Sequence, residues 1–324
     1  MLFNSTKLTL ANVMMIGVIM TICSNNWISM WMGLEITLLS FIPFMQSKIK
    51  TSSESMMKYF IIQSVASTMF MFSMICMLIG VNMLNEMFLS ISMLIKLGSA
   101  PFHNWVLMII ENISYMTLFS LLTIIKIPPL MILYQINSKI ILLPIIISMI
   151  VSSIMCINQS SVKKTLGFSS IYNSSMMLIS MNKVGLLMNY MLIYSLTMLP
   201  LTVMVSKLKI NYMNQMVFND FSTWMKTNMW INMLSMGGFP PLMGFLGKLM
   251  IMQNLISNNQ NLLTSILMMT SILVMLFYTR MAFTSMMTIY SLKKWIINKP
   301  DLMKFIMSLN LTSTPLILTL KSVL

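Results

Sequence analysis

Long apolar runs recur along the whole chain and are separated by short polar segments. Eleven such runs span 7–23, 27–45, 56–80, 83–110, 114–134, 140–157, 166–182, 185–206, 229–255, 261–290 and 303–321, and most of them are near the ~20 residues that an α-helix needs to cross ~30 Å of hydrocarbon. Backbone polar groups in lipid must be satisfied within the segment, and the ~10-residue alternation of a membrane barrel is missing. The pattern predicts an all-α, polytopic membrane helical bundle of about 11 transmembrane helices, forming one integral membrane domain over 1–324.

The composition supports a membrane protein and excludes several other classes. Hydrophobic residues make up 57% of the 324 positions, charged residues make up only 8%, and the mean hydropathy is +0.85. Soluble globular proteins carry about 25% charged residues, so this chain cannot build a water-facing surface. Disordered, collagenous, coiled-coil and disulfide-rich chains are excluded by the same values.

The methionine content gives a second compositional signal, because 45 residues are Met. Methionine serves as flexible apolar filler in place of Leu and Ile. Animal mitochondrial genetic codes also read AUA as Met, which converts Ile positions to Met in AT-rich genes. No cleavable targeting segment is visible, so the composition supports the hypothesis of an organelle-encoded protein.

The distribution of lysines predicts how the chain is oriented in the membrane. With eleven crossings, eleven lysines fall on the side of the N-terminus, and three fall on the other side: Lys7, Lys48, Lys50, Lys163, Lys164, Lys207, Lys209, Lys226, Lys293, Lys294 and Lys299, against Lys139, Lys183 and Lys321. The positive-inside rule therefore predicts an N-terminus in the matrix or cytoplasm and a C-terminus on the opposite side. Residues 207–228 are predicted to form an interfacial connector on the lysine-rich side.

Residues that hold cofactors or nucleic acids are scarce. The chain has three cysteines and one histidine, with no C-x-x-C, G-x-G-x-x-G or Walker motif. Iron–sulfur, haem and zinc sites need several such ligands, so no cofactor or metal site is predicted in this chain. The net charge of +14 comes without a basic, aromatic-interleaved polar stretch, so nucleic acid is not predicted as a partner.

Four ionisable residues lie well inside the predicted spans: Glu35, Lys96, Lys126 and Lys248. Each costs about 2.5–3.5 kcal/mol at mid-helix on insertion scales, so a functional role is the first hypothesis and a structural ion pair is the alternative. Lys96 and Lys126 are each 15 residues from position 111, near the predicted turn. Antiparallel neighbours would place both ~22 Å from that turn. Two ammonium groups at one depth repel, which suits a proton that is shared or handed on.

Two predicted spans are interrupted by glycine and proline. The first broken helix, 83–110, contains Gly98 and Pro101, and the second, 229–255, contains Gly237, Gly238, Pro240 and Pro241. Proline removes a backbone donor and clashes with the preceding turn, so both helices should break or kink. Paired broken helices point to a mid-membrane site in inverted-repeat transporters, although a kink without function is the alternative for each.

Two further features accompany these breaks. Pro128 and Pro129 follow Lys126 directly and predict a third bend. His103 lies two residues after Pro101 and is the single histidine of the chain. It is a candidate proton relay near neutral pH, and a hydrogen-bonded interior histidine is the equal alternative.

The motifs around these residues resemble those of a known family. K-L-G-S-A-P-F-H-N-W at 96–105, Lys126, G-G-F-P-P-L-x-G-F-L-x-K at 237–248, Glu35 and V-K-K-T-L-G-F-S-S-I at 162–171 resemble the antiporter-like membrane subunits of mitochondrial respiratory complex I, in particular the shortened animal form of its subunit-2 group. The resemblance covers essentially the whole chain. The family often has an acidic or proline-containing segment after His-x-Trp, whereas residues 106–110 here are apolar.

The resemblance implies a function and roles for particular residues. Glu35 would pair with Lys96 and gate one half-channel, Lys126 would be the central proton carrier, and Lys248 would connect to the opposite side. NADH oxidation, FMN, iron–sulfur clusters and ubiquinone reduction would belong to other subunits of the NADH:ubiquinone oxidoreductase complex. The implied location is the mitochondrial inner membrane with the N-terminus in the matrix and the C-terminus in the intermembrane space, among phospholipids and other complex I subunits.

Three alternatives remain open at the level of sequence. A free-standing cation/proton antiporter would transport Na⁺ or K⁺ when purified alone. A proton-inert structural scaffold of the membrane arm would have no hydrated axis around its interior charges. The membrane arm of a hydrogenase-type complex would co-purify with different partners.

Overall fold

The computed structural model describes residues 5–47, 51–80, 82–136, 138–218 and 223–287. The predicted span 303–321, the lysines at 48, 50, 293, 294, 299 and 321, and part of the predicted connector lie outside the described residues. Within them the chain is helical and carries one isolated backbone bridge between Ser161 and Tyr212. The all-α prediction is therefore confirmed for the described part of the chain.

The chain divides into two compact units, and it passes from one to the other three times, after residues 151, 169 and 184. The first unit comprises 1–151 and 170–184, and the second comprises 152–169 and 185–324. The helices in chain order are α1 (Ser5–Cys23), α2 (Trp27–Phe44), α3 (Thr51–Ile79), α4 (Asn82–Leu97), α5 (Asn104–Ile110), α6 (Tyr115–Leu122), α7 (Ile127–Ile136), α8 (Leu142–Ile157), α9 (Val162–Ile179), α10 (Val184–Leu208), α11 (Met213–Phe218), α12 (Thr223–Gly237), α13 (Met243–Ser257) and α14 (Asn261–Met286).

Six stretches of the described chain are long and apolar enough to cross a membrane by length and composition: Ser5–Cys23, Trp27–Phe44, Thr51–Met77, Tyr115–Ile136, Val184–Leu208 and Asn261–Met286. Large apolar side chains point outward along them, as at Ile16, Leu39 and Met269, which are 54%, 61% and 71% exposed. Such a surface is stable in lipid and costly in water. The structure thus supports a multi-pass helical membrane protein.

The first unit holds α1 and α2 together through two glycines at their crossing. A Cβ atom at Gly17 would lie 3.0 Å from the carbonyl oxygen of Gly33, and a Cβ at Gly33 would lie 3.0 Å from that of Gly17. Thr37 and Thr21 flank the same contact on opposite sides. Small residues let helix backbones approach closely where lipid supplies no hydrophobic driving force.

The predicted span 114–134 contains a discontinuity. α6 ends at Leu122, a 3₁₀ turn occupies Ile124–Lys126, and α7 begins at Ile127. Pro128 and Pro129 have no backbone N–H, so the carbonyls of Ile124 and Ile125 lose their α-helical donors. The N–H of Ile127 bonds instead to the Ile124 carbonyl. The change from α-helix to 3₁₀ turn therefore includes Lys126, directly before Ile127 and the two prolines.

The second unit contains the second glycine-proline segment. α12 begins at Thr223, earlier than the predicted span at 229, and α10 runs on to Leu208 into the predicted connector. Between them α11 covers Met213–Phe218. The described part of 207–228 is thus largely helical, with Lys226 buried on α12 at 4% exposure.

Candidate functional site

The first interruption, between α4 and α5, is made by Gly98. Gly98 has φ +67°, and the N–H of Ser99 bonds to the Leu94 carbonyl at 3.3 Å while that of Gly98 bonds to the same carbonyl at 3.0 Å. A left-handed glycine with a bond spanning six residues is the Schellman arrangement that ends α-helices. The sequence assigned this break to proline, whereas the helix ends before Pro101 because glycine can adopt the positive φ.

One carbonyl near the end of α4, that of Ile95, accepts hydrogen bonds both from the Gly98 N–H at 3.1 Å and from the following helix. The indole Nε1 of Trp105 donates a hydrogen bond of 3.0 Å to the Ile95 carbonyl. A Cβ atom at Gly98 would collide with Val106 and approach Trp105, so α5 packs directly over the break. Lys96, in the last turn of α4, is thereby held in the protein interior at 5% exposure.

The second interruption, between α12 and α13, repeats this geometry. Gly238 has φ +78°, and the N–H of Phe239 bonds to the Leu234 carbonyl at 3.1 Å. Here the freed carbonyl belongs to Gly237, and it accepts a hydrogen bond of 2.6 Å from Lys248 Nζ. Lys248 is 7% exposed. Its ammonium group therefore lies at the C-terminal, partially negative end of α12, where a cation is favoured.

Gly238 also makes room for that lysine. A Cβ atom at position 238 would lie 2.7 Å from Lys248 Nζ and 2.9 Å from Lys248 Cε. Gly247, the neighbour of Lys248, packs against the ring of Tyr190 in the same way, since a Cβ atom there would lie 3.0 Å from Tyr190 Cδ2. The glycines of the motif thus serve the placement of Lys248 as well as the turn.

Lys126 occupies the discontinuity between α6 and α7. It is 3% exposed, and its Nζ donates a hydrogen bond of 2.8 Å to the backbone carbonyl of Ser170 on α9. Within the described chain this carbonyl is the hydrogen-bond partner of its ammonium group, and no carboxylate forms an ion pair with it. The lysine is therefore buried against a neutral acceptor.

Glu35 on α2 and Lys96 in the last turn of α4 belong to the same unit. In the described residues, no ion pair within 4.0 Å joins Glu35 to Lys96. Glu35 is half-buried, and its Oε1 is fully enclosed without a hydrogen-bond partner there.

A small polar cavity lies beside Lys96. Its volume is about 10 Å³, and its wall is formed by Leu34, Thr37, Leu38, Tyr59, Gln63, Lys96, Ile125 and Pro129. α2, α3, α4, α7 and the turn before α7 all contribute to it. The cavity wall therefore includes α2, the helix that carries Glu35, and Ile125, the residue before Lys126.

The predicted site residues divide between the two units. Glu35, Lys96 and Lys126 belong to the first unit and Lys248 to the second. His103 is half-buried, its Nδ1 is 3.3 Å from the Pro101 carbonyl, and it is not part of the cavity wall. Pro101 is exposed, and the described part of the chain has no group of three or more His, Cys, Asp or Glu placed to hold a metal.

Sequence reasoning missed three buried polar residues. Tyr59 and Gln63 are 2% and 3% exposed and lie one turn apart on α3 beside Lys96. Lys226 was assigned to a connector but is buried on α12. It precedes the buried Met229 and Met233 on the same helix, and this helical spacing could have placed it on the inner face.

Comparison with known proteins shows the family to which this chain belongs. Residues 24–83 and 78–274 match the family described as "NADH:quinone oxidoreductase/Mrp antiporter, TM". NADH-ubiquinone oxidoreductase chain 2 of Anopheles gambiae is 36% identical over 88% of this chain and 87% of its own. The protein of the same name from Locusta migratoria is 32% identical over 90% and 89%, and that from Lemur catta is 36% identical over 85% and 84%.

Solved structures share the fold at low sequence identity. A chain of respiratory complex I from Thermus thermophilus, solved with bound aureothin, has a TM-score of 0.83 at 17% identity, covering 98% of this chain and 78% of its own. A chain of an archaeal membrane-bound sulfane sulfur reductase scores 0.78 at 15% identity, covering 93% and 70%. A chain of the Mrp complex from Dietzia sp. scores 0.76 at 12% identity, covering 90% and 62%.

Proposed function

Because the chain belongs to the NADH-ubiquinone oxidoreductase chain 2 family, we propose that it couples electron transfer in neighbouring subunits of respiratory complex I to proton translocation through its buried Glu35, Lys96, Lys126 and Lys248. It is a multi-pass subunit of the inner-membrane oxidoreductase complex of mitochondria. We further propose an N-terminus in the matrix, a C-terminus in the intermembrane space, and about 11 crossings that act as one membrane domain with two broken helices in inverted repeats.

The observation that carries the proposal is the kind of partner that the buried lysines have. Lys126 donates to the carbonyl of Ser170 and Lys248 to that of Gly237. A backbone carbonyl accepts a hydrogen bond from either –NH₃⁺ or –NH₂, so the contact survives loss of the proton. A structural lysine would be paired with a carboxylate, because an uncompensated buried charge is costly, and among the described residues Lys126 forms no such ion pair. Lys126 is therefore suited to loading and unloading a proton.

The charge of Glu35 provides a way to drive this cycle. An ionised Glu35 stabilises the positive charge of Lys96 in a low-dielectric interior, and its neutralisation removes that stabilisation. The Lys96 proton is then free to leave toward the next acceptor. Quinone reduction in another subunit would supply the initial charge change, and one charge moved across 100 mV costs about 2.3 kcal/mol.

The chemistry of the parent complex lies outside this chain. The proposal places NADH, FMN, iron–sulfur clusters and ubiquinone in other subunits, and this chain supplies proton-carrying side chains. Other complex I subunits and phospholipids are its proposed partners. His103 remains a candidate relay beside the first break.

The test is Lys126→Met in the assembled complex, reconstituted in liposomes. Methionine keeps an apolar stem of similar shape but cannot carry a proton, so we expect a lower proton-to-electron ratio during NADH:ubiquinone oxidoreduction. Lys183→Met is the matched control, because Lys183 is exposed at the turn before α10, and it should leave the ratio unchanged. An unaltered ratio in a fully assembled Lys126→Met complex would overturn the carrier role.

A further inference from the structure

Two turns of the second unit are joined by backbone hydrogen bonds. The N–H of Val162 bonds to the Asn211 carbonyl at 2.9 Å, and the N–H of Met213 bonds to the Ser160 carbonyl at 3.0 Å. These bonds connect the turn between α8 and α9 to the turn between α10 and α11. Four lysines border the joined turns and are called the lysine cluster: Lys163, Lys164, Lys207 and Lys209. The fold therefore gathers positive charges from two distant parts of the sequence.

The lysine cluster has no carboxylate to balance it in the described part of the second unit. That part contains no aspartate or glutamate, and the two aspartates of the unit lie outside the described residues. Lys207 and Lys209 are exposed, and neither side chain forms a hydrogen bond or an ion pair within the described chain. Positive charges grouped in this way attract an anionic partner.

Lys209 occupies a position at a helix end where glycine is favoured. It has φ +53°, and the N–H of Ile210 bonds to the Val205 carbonyl at 3.3 Å. This is the Schellman arrangement that also ends α4 and α12. The other described residues with positive φ are three glycines and Asn259, residue types that tolerate this conformation. A lysine there is strained by its Cβ atom, so the strain points to a use for its side chain.

The exposed face of α10 continues from Lys207 toward the middle of the helix. Leu192, Leu196 and Leu199 are exposed, and with 3.6 residues per turn they lie within about 80° of Lys207 around the helix axis. α10 is one of the helices long and apolar enough to cross a membrane. Tyr212 in the following turn is also exposed, and tyrosine is enriched where a membrane meets water. The surface thus offers positive charge at the boundary and apolar side chains beyond it.

We propose that the lysine cluster binds the headgroup of an anionic phospholipid whose acyl chains lie along the exposed face of α10. The ammonium groups of Lys207 and Lys209 donate charge-assisted hydrogen bonds to the phosphate oxygens, and the leucines contact the acyl chains. The proposal rests on the proposed function, which has the chain among phospholipids, and adds the residues that select an anionic one. In the proposed orientation this lipid belongs to the leaflet that faces the matrix.

The experiment uses the assembled complex in phosphatidylcholine liposomes that carry one of two photoactivatable probes. The first probe is anionic phosphatidylglycerol, and the second is neutral phosphatidylcholine. After irradiation, mass spectrometry measures lipid adducts on peptides from 158–164 and 192–213. Lys207→Gln and Lys209→Gly each remove one charge of the cluster. Lys183→Gln is the matched control, because Lys183 is an exposed lysine directly before the other end of α10.

We expect the anionic probe to label these peptides more strongly than the neutral probe in the wild type and in Lys183→Gln. One lysine near an anionic lipid surface corresponds to about 5-fold in affinity. Lys207→Gln and Lys209→Gly should therefore each lower labelling by the anionic probe about 5-fold and leave labelling by the neutral probe unchanged. Glycine at position 209 also relieves the strain of the positive φ, so Lys209→Gly should have a melting temperature equal to or above that of the wild type.

Several results would overturn the proposal. Equal labelling by the two probes, or full labelling by the anionic probe in both variants, would show that the lysines do not select an anionic lipid. Loss of labelling on addition of inorganic phosphate would identify a free anion as the ligand. Labelling by neither probe would show that a neighbouring subunit covers this face. If Lys209→Gly does not assemble, Lys207→Gln decides the question.

This proposal and the proposed function fail in different experiments. A wild-type proton-to-electron ratio in Lys126→Met would remove the carrier role and leave the lipid site in place. Equal labelling by the two probes, in a complex whose pumping depends on Lys126, would remove the lipid site and leave the carrier role.

Discussion

At the scale of single residues, two buried amines, those of Lys126 and Lys248, bond to backbone carbonyls. Lys126 lies at a helix interruption and donates to a carbonyl of a neighbouring helix, and Lys248 donates to a carbonyl that an interruption has freed. The insertion cost of each charge, about 2.5–3.5 kcal/mol, is offset in part by such bonds. For Lys248, a neighbouring glycine decides whether the amine can reach the carbonyl.

Gly238→Ala tests this dependence. Alanine at φ +78° is strained by about 1–2 kcal/mol, and its Cβ would lie 2.7 Å from Lys248 Nζ. We expect Lys248 to lose its bond to the Gly237 carbonyl, with a lower proton-to-electron ratio and a lower melting temperature of the complex.

Gly185→Ala is the control for that variant. A Cβ at position 185 meets no atom within 4 Å, and alanine is favoured over glycine near the start of a helix such as α10. Its stability should be equal to or slightly above that of the wild type. A Gly238→Ala complex with wild-type pumping would contradict the positioning role of Gly238.

At the scale of elements, the two helix breaks and the α1–α2 crossing are built from small residues for different reasons. At the breaks, glycine supplies a positive φ that ends the helix. At the crossing, Gly17 and Gly33 have ordinary helical backbone and serve only the close approach of the two helices. α2 carries Glu35, so the crossing also fixes the helix on which the acidic group sits.

Gly17→Val tests the crossing. The added carbons would meet Thr37 Cγ2, since a Cβ alone lies 2.8 Å from it, and the Gly33 carbonyl at 3.0 Å. Overpacking of this kind costs about 1–3 kcal/mol, so we expect less assembled complex and a lower melting temperature. Ile16→Val, at an outward-facing position that is 54% exposed, should assemble as the wild type does. Equal assembly of both variants would refute the close packing of α1 on α2.

At the scale of the whole molecule, the distribution of lysines predicts the orientation in the membrane. If the N-terminus faces the matrix, α1 carries the chain outward and ends at Cys23 on the intermembrane-space side. Cys23 is exposed, whereas Cys76 is half-buried and Cys156 is buried. Cys23 can therefore be labelled chemically to determine the orientation of the chain in the membrane.

We expect a membrane-impermeant maleimide to label Cys23 in mitoplasts, whose outer membrane has been removed, and not in inverted inner-membrane vesicles. Cys23→Ser should abolish this labelling and so identifies the reactive cysteine. Labelling of Cys23 in inverted vesicles alone would reverse the proposed orientation. It would also place the lysine-rich loops in the intermembrane space, against the positive-inside rule.

The sequence by itself determined the class of protein, its family and the residues worth testing. Apolar length, charge cost and the motifs at 96–105 and 237–248 are local properties, so Glu35, Lys96, Lys126 and Lys248 could be selected without coordinates. The glycines and prolines of both motifs lie where one helix ends and the next begins, and the description of each motif as one broken membrane-spanning helix stays a prediction.

Only the tertiary structure decided what these residues contact. The carbonyl that receives Lys126 belongs to Ser170, 44 residues away, and the wall beside Lys96 comes from residues on separate helices. A backbone carbonyl has no signature in the sequence, and Tyr59 and Gln63 are ordinary residues of an apolar helix until packing encloses them. Partners of a buried charge depend on how distant helices meet, and that information is absent from any single span.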